Sequence, residues 1–287
     1  MKTENNKIRV VSYSAESLLT SPLKLFKAML ADLIASRFIA YRLMKRDIKA
    51  KYRQTLLGYI WAFVPSIVVA YGLVAASNAK VISVGVTDLP YPAYVMLSMV
   101  LWQTFIEAFN APLAAISESK TMLAKINFPR ESIVLAKIGE VFFNFLVKLI
   151  LVAFLFFFYE MPITWKAIFA FAGVFQLVVL GAFFGLLIAP AGGIYQDVSK
   201  AVAVVTTAWF FITPVIYATP KQGAFAAIVN LNPVTPLLTT TRELATSGIV
   251  SNFSGFVIVS ILSLLGFFIT WMIFRLAIPY VIERMPS

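Results

Sequence analysis

Six long apolar runs, separated by short polar clusters, set the pattern of this chain: Gln54 to Ala79, Leu89 to Ile106 (continuing past Glu107 toward Pro112), Ile133 to Phe158, Ala167 to Ala189, Ala201 to Tyr217 and Ile249 to Phe274. A bilayer core about 30 Å thick is crossed by about 20 apolar residues of helix. The runs are continuously apolar and lack the alternation of a barrel strand. The pattern predicts an all-α integral membrane protein with six transmembrane helices.

The polar segments between the runs predict which way the helices face. With six spans, residues 1–53, 107–140, 196–200 and 275–287 share one side and hold 19 of the 24 Lys and Arg. The loops 80–88, 159–166 and 218–248 hold four. Basic residues stay in the cytoplasm, so both termini are expected there, in a multi-pass protein of the bacterial cytoplasmic (inner) membrane. The first 20 residues carry Lys2, Glu4, Lys7, Arg9 and Glu16 and no apolar core, the pattern of a cytoplasmic arm rather than a cleaved signal.

Two segments outside the runs have patterns of their own. Ser21-Pro22 makes a helix start, with a capping hydroxyl and proline at the first position. Leu23, Phe26, Leu30, Leu33 and, one step round, Ile34 then form a stripe opposite Lys24, Lys27 and Asp32. Over 21–41 this predicts an N-terminal amphipathic interfacial helix on the inner leaflet. A soluble helix packed on a partner is the alternative. Residues 1–53 are thus expected to form a cytoplasmic arm and interface helix, and 54–287 a six-helix transmembrane domain. The loop Ala218–Gly248 carries only Lys221, Arg242 and Glu243, but three prolines and several apolar stretches. It is too apolar for a free loop and too broken for a span, which predicts two short re-entrant helices between spans five and six.

Composition narrows the function. Hydrophobic residues are 60% and charged residues 13% of 287, and mean hydropathy is +0.87, far from a soluble enzyme. There is no Cys and no His, which removes thiolate nucleophiles, cysteine metal sites and the commonest general base. No acidic cluster has metal-ligand spacing, so neither catalytic nor metal-ligating residues are assigned. No phosphate-binding G-x-x-x-x-G-K-[ST] loop occurs. The net charge of +11 follows topology and does not point to nucleic acid.

Few ionisable groups fall inside the runs: Glu107, Glu140 and Lys148. Coupled carriers place several such groups at mid-membrane, so their scarcity favours a passive conduit driven from elsewhere. Glu140, Asn144 and Lys148 lie at i, i+4 and i+8 on one helix face. They read either as a stripe that pairs helices or as contacts to a polar substrate. The rings Tyr59, Trp61, Tyr91, Tyr94, Tyr159, Trp165, Tyr217 and Trp271 fall near span ends, as an interfacial belt does. A lining for sugar rings is the other reading. Tyr59, Trp61, Trp102, Lys148 and Tyr217 are therefore candidate conduit or gate residues.

Several strings together resemble one family. Arg46-Asp47-Ile48-Lys49-Ala50-Lys51-Tyr52-Arg53-Gln54-Thr55-Leu56-Leu57-Gly58-Tyr59-Ile60-Trp61, with Pro65 after it, resembles the approach to span one in ABC-2 type permeases of polysaccharide exporters. Lys125-Ile126-Asn127-Phe128-Pro129-Arg130-Glu131 resembles their loop between spans two and three. Thr213-Pro214-Val215-Ile216-Tyr217 and Asn232-Pro233, with Arg242 following, look like the end of span five and the re-entrant region. The likeness covers about residues 20–280. Gln196 stands before Asp197 where the family usually has Arg, so no ion pair is carried over to position 196. Ser98 stands four before Trp102 where Gly is common, which suggests different helix packing.

The resemblance implies the membrane half of an ATP-driven exporter of lipid-linked glycans: O-antigen, capsule or teichoic acid. It further implies a second copy of the chain and two cytoplasmic ABC ATPase subunits, which would hold ATP and Mg, with no cofactor on this chain. Beside that implied ATPase, the loop 119–130 becomes the expected coupling contact: Lys120, Leu123, Lys125, Phe128, Pro129 and Arg130 mix apolar anchors with a charged rim. Two other classes compete. A permease for a drug or small lipid would share the fold. A membrane-embedded glycolipid-processing enzyme would need clustered acids, and Asp47 and Asp197 stand alone.

Overall fold

A computed structural model describes residues 22–53, 58–80, 85, 87–125, 128–161 and 164–284. Ser21, residues 54–57, Ile126 and Asn127 lie outside the described residues, as do the side chains of Leu23, Phe26, Leu30, Tyr59 and Lys125. Every element described is helical. In order they are α1 (Pro22–Arg53), a 3-10 turn (Gly58–Ala62), α2 (Val64–Asn78), α3 (Tyr91–Glu118), α4 (Lys120–Lys125), α5 (Glu131–Phe158), a second 3-10 turn (Trp165–Phe169), α6 (Ala170–Ile194), α7 (Asp197–Phe211), α8 (Ala224–Leu231), α9 (Val234–Ala245) and α10 (Phe253–Arg284).

Among the described residues, α3, α5, α6 with its leading turn, and α10 are long and apolar enough to cross a membrane. Their 28–32 residues reach about 42–48 Å at about 1.5 Å each. Two of the expected spans are shorter as helices. Both α2 and α7 have 15 residues, about 22 Å. The expected fifth run reached Tyr217, but α7 stops at Phe211, because a residue before proline disfavours helical backbone and Thr213 precedes Pro214. The second run extends the other way. α3 passes through Glu107 and Pro112 to Glu118, since Glu107 has partners inside the bundle (below).

The centre of the bundle is the α3–α6 pair. Gly181 and Gly185, one turn apart on α6, bring the backbones together. A Cβ on Gly181 would lie 2.6 Å from the Phe105 carbonyl oxygen, and one on Gly185 2.3 Å from that of Phe109 and 2.8 Å from the Pro112 ring. Small residues at such a spacing permit close approach where no hydrophobic drive operates between helices. Phe105, Leu177 and Leu186 pack around this contact and are fully buried.

α1 runs past the expected end at residue 41 to Arg53, and lies along α5. Its inner side is Met29, Ser36 and Ala40, with Leu33 packed against the same core. Met44 fills the space left by Gly139 of α5. The expected apolar stripe therefore divides: Leu33 turns toward protein, whereas Ile34, Phe38 and Tyr41 are exposed on the opposite side. Four turns of α1 can follow α5 because a helical face that packs on protein repeats every three to four residues.

Candidate functional site

At the α1 end of the bundle, two basic residues hold four helices. Lys137 of α5 sits 2.6 Å from Glu118 at the foot of α3, 2.8 Å from Glu140 and 3.2 Å from Asp47 of α1. Arg275 of α10 donates to Glu131 at the start of α5 (2.8 Å) and to Asp32 of α1 (2.5 Å). Burial alone would raise the Asp47 carboxyl. Hydrogen bonds from Arg46 and Lys137, with their charges, outweigh it and hold that group below the usual carboxylate range. Glu118 lies two residues before α4, so this clasp ties the α3–α4–α5 corner to α1.

That corner carries the expected coupling residues, and the structure distributes them. Leu123 is buried in the bundle core, with Met122 and Phe128 packed against the same cluster. Lys120, Pro129 and Arg130 are half-buried, and Thr121 is exposed. The loop is thus pinned from inside through Leu123. Ser132 closes its far side, donating from backbone N–H and hydroxyl to the Pro129 carbonyl at 3.1 and 2.6 Å.

Midway along the bundle, Lys148 is 2% exposed and pairs with Glu107 of α3. Asn144 donates to the other carboxylate oxygen at 3.0 Å. The face Glu140–Asn144–Lys148 therefore splits: its lower member joins the Lys137 clasp, and its upper two hold Glu107. One turn before Glu107, Gln103 accepts from Ser66 of α2 at 3.0 Å. Neither Glu107 nor Gln103 was legible as a partner, because each contact joins helices 37–41 residues apart in the chain.

The candidate conduit aromatics sit in different settings. Trp102 is buried, its ring 5.4 Å from Phe105 and 5.8 Å from Phe210. Trp61 is 55% exposed in the turn before α2. Tyr217 is half-buried, donates to the Phe211 carbonyl at 3.2 Å and packs on Phe225 at 5.5 Å. The Tyr59 side chain lies outside the described residues.

At the α9 end, non-helical backbone after α7 would be costly among apolar helices unless its carbonyls found donors. They do. Tyr91 donates to Ile216 O at 3.0 Å, Tyr94 to Tyr217 O at 2.8 Å, and Asn232 to Ile212 O at 3.2 Å. Asn232 also donates to Thr213 Oγ1 (2.8 Å) and accepts from Trp209 (2.9 Å) and from the Val234 N–H (3.0 Å), starting α9. Arg242 completes the set. It is buried, donates to Ser98 Oγ at 2.9 Å and Pro214 O at 3.2 Å, and lies 4.0 Å above the Tyr94 ring. No carboxylate lies within 4 Å of it among the described residues. The sequence reading placed Tyr94 in the belt and left Arg242 as a family mark. A lone arginine in an apolar segment was the signal that it is held from inside. Ser98, read as a packing difference, is a hydrogen-bond partner.

This bundle, with membrane-length helices, ion pairs between them and a satisfied break before two short helices, is built as a membrane-spanning domain. Residues 40–245 match the family model described as ABC-2 type transporter, and the chain belongs to that family. It is 26% identical over 218 residues to the O-antigen export system permease protein RfbA of Myxococcus xanthus, covering 74% of this chain and 81% of that protein. It is 23% identical over 233 residues to the protein of the same name from Klebsiella pneumoniae, covering 78% and 85%.

Proposed function

We propose that the chain is the membrane-spanning subunit of an ATP-driven exporter that moves lipid-linked polysaccharide, O-antigen above capsule or teichoic acid, across the cytoplasmic membrane. The similarity to two O-antigen export permeases over most of their length carries this reading. Two copies pair with two cytoplasmic ABC ATPase subunits, which bind ATP and Mg. α2 and α7, each extended by flanking residues, complete six spans. α8 and α9 re-enter from the outer side, and the run of buried residues from Val234 to Arg242 supports that placement. The basic segments put both termini in the cytoplasm. Residues 1–53 then form the cytoplasmic and interfacial arm, and 54–287 the transmembrane domain.

The corner at α4 delivers the ATPase stroke. Leu123 and Phe128 fasten it inward, Lys120, Pro129 and Arg130 supply half-exposed surface, and Lys125 is proposed to join them in contact with the ATPase. Glu118, Lys137 and Asp47 carry its displacement to α1. Lys120→Glu with Arg130→Glu is expected to reduce co-purification of the ATPase subunit at least tenfold and to abolish surface glycan, with the chain still in the membrane at wild-type level. Retained ATPase binding would overturn the coupling role. Restored binding without export of any glycan by the wild-type pair would overturn the substrate.

Between the copies, weak repeated contacts suit a polymer better than deep charged sites, by the multi-site reasoning that governs ions in channels. Tyr59, Trp61, Trp102, Lys148 and Tyr217 are proposed for lining or gate. The buried settings of Trp102 and Lys148 support a gate or a wall-forming role for those two.

A further inference from the structure

We propose that the slot between α3, α5, α6 and α9 holds one acyl chain of a bilayer phospholipid, with its phosphate at Lys166. The inference needs α5 and α6 to span the membrane, but neither the ATPase partner nor the glycan.

α5 and α6 both pack on α3, yet touch each other little. Between them opens a cavity of about 470 Å³, walled by Leu101 of α3, Leu149, Val152 and Phe156 of α5, Val174 of α6 and Ala245 of α9. Its one polar side chain, Thr241, spends its hydroxyl on the Leu237 carbonyl at 2.5 Å. Water entering would find no partner, and such cavities stay dry. Left empty, the walls would forfeit their dispersion contacts.

Dimensions choose the occupant. The slot follows α5 from Phe145 to Phe157, a rise of roughly 18 Å. Spread over that length, the volume of about 470 Å³ gives a cross-section of roughly 25 Å², whereas a helix about 10 Å across needs roughly 80 Å². A single hydrocarbon chain matches that section more closely than a protein helix does. An acyl chain also reaches half of the ~30 Å core, about 15 Å. At its Phe145 end the slot is lined by Phe145 and Phe171, which meet edge-on at 6.3 Å, and Phe171 is 53% exposed, so the slot is open sideways to hydrocarbon there.

The mouth suits a headgroup. It opens at the turn between α5 and α6, where Trp165 is 73% exposed, as interfacial tryptophans are. Lys166, next to Ala167 of the wall, is held by one hydrogen bond to the Gly248 carbonyl at 3.0 Å. An ammonium has three donors, so this one has others left for a phosphate oxygen.

The test is lipid retention by the full chain, purified in detergent from membranes and passed through gel filtration. About one phospholipid per chain is expected by native mass spectrometry. Val152→Trp with Ala170→Phe, which fills the slot, is expected to lower retention at least fivefold, and Lys166→Ala, which leaves the walls intact, at least threefold. A phospholipid carrying a mid-chain photoreactive group should label α5 or α6 in wild type and not in the filled variant. Wild-type retention in both variants would overturn the site. So would displacement of the phospholipid by polyprenyl phosphate at equal concentration, which would give the slot to the carrier. Should the filled variant fail to fold, Lys166→Ala alone decides.

Discussion

Glu107→Ala is expected to destabilise the chain by about 3 kcal/mol, the low end of the cost of removing one partner from a buried ion pair, because the Glu107 side chain is 32% exposed while that of Lys148 is 2% exposed. Lys148 is 2% exposed and has Glu107 as its salt-bridge partner, while Asn144 gives its amide to the same carboxylate. Truncating the acid leaves the Lys148 ammonium without its salt-bridge partner in an apolar helix interface. Removing both charges is a different change. Glu107→Leu with Lys148→Met keeps the volume and leaves no unpaired charge, though the Asn144 amide loses its carboxylate acceptor, so its stability is expected within about 1–2 kcal/mol of wild type. Thermal melting in detergent checks both. A Glu107→Ala melt that matches wild type would show the pair to be solvated and the structural reading wrong. The double variant then separates the two readings of the stripe. Normal surface glycan in a stable double variant makes the pair a helix tie, and a tenfold loss of export in that variant gives it to the conduit.

The long spans were legible because a run of about 20 apolar residues has few alternatives. The pairing of Asn144 with Lys148 on one face was legible too, since helical spacing fixes it. What chose their partner was not. Glu107 lies on another helix, and Glu140, on the same stripe, went instead to Lys137, which is closer along its own turn. The end of α7 was marked by Thr213-Pro214, but the apolar run continued to Tyr217 and hid it. Hydropathy sums side chains and is blind to where backbone carbonyls find donors. Leu123 shows the same limit in the coupling loop: a leucine among lysines reads equally as an anchor for a partner or for its own core, and here it faces inward. On α1, Leu33 and Ile34 are adjacent, and a rotation of one residue decides which of them meets protein.

Arg242→Ala is expected to free the segment after α7, raising the labelling rate of a cysteine at position 216 at least tenfold. The chain has no cysteine of its own, so Ile216→Cys gives a single reporter without further changes. The arginine makes three contacts that alanine cannot: Ser98, the Pro214 carbonyl and the face of Tyr94. A hydrogen bond from a charged donor contributes about 1.5–3 kcal/mol, and a desolvated cation over an aromatic ring about 2. Their joint loss exceeds what a short segment held mainly by tyrosine hydroxyls retains, so opening at 212–217 precedes unfolding of the long helices. Arg242→Lys keeps the charge but loses the planar fork and the stacking, which predicts an intermediate rate. Ser98→Ala removes one hydrogen bond and leaves the stack, and its effect should be the smallest of the three. If Tyr217, at the end of this segment, acts as a gate as proposed, the order of labelling rates should also be the order of ion leak across vesicles containing the chain. Equal labelling in all four backgrounds would mean that Tyr91, Tyr94 and Asn232 hold the segment without help, and that Arg242 only packs α9 against α3.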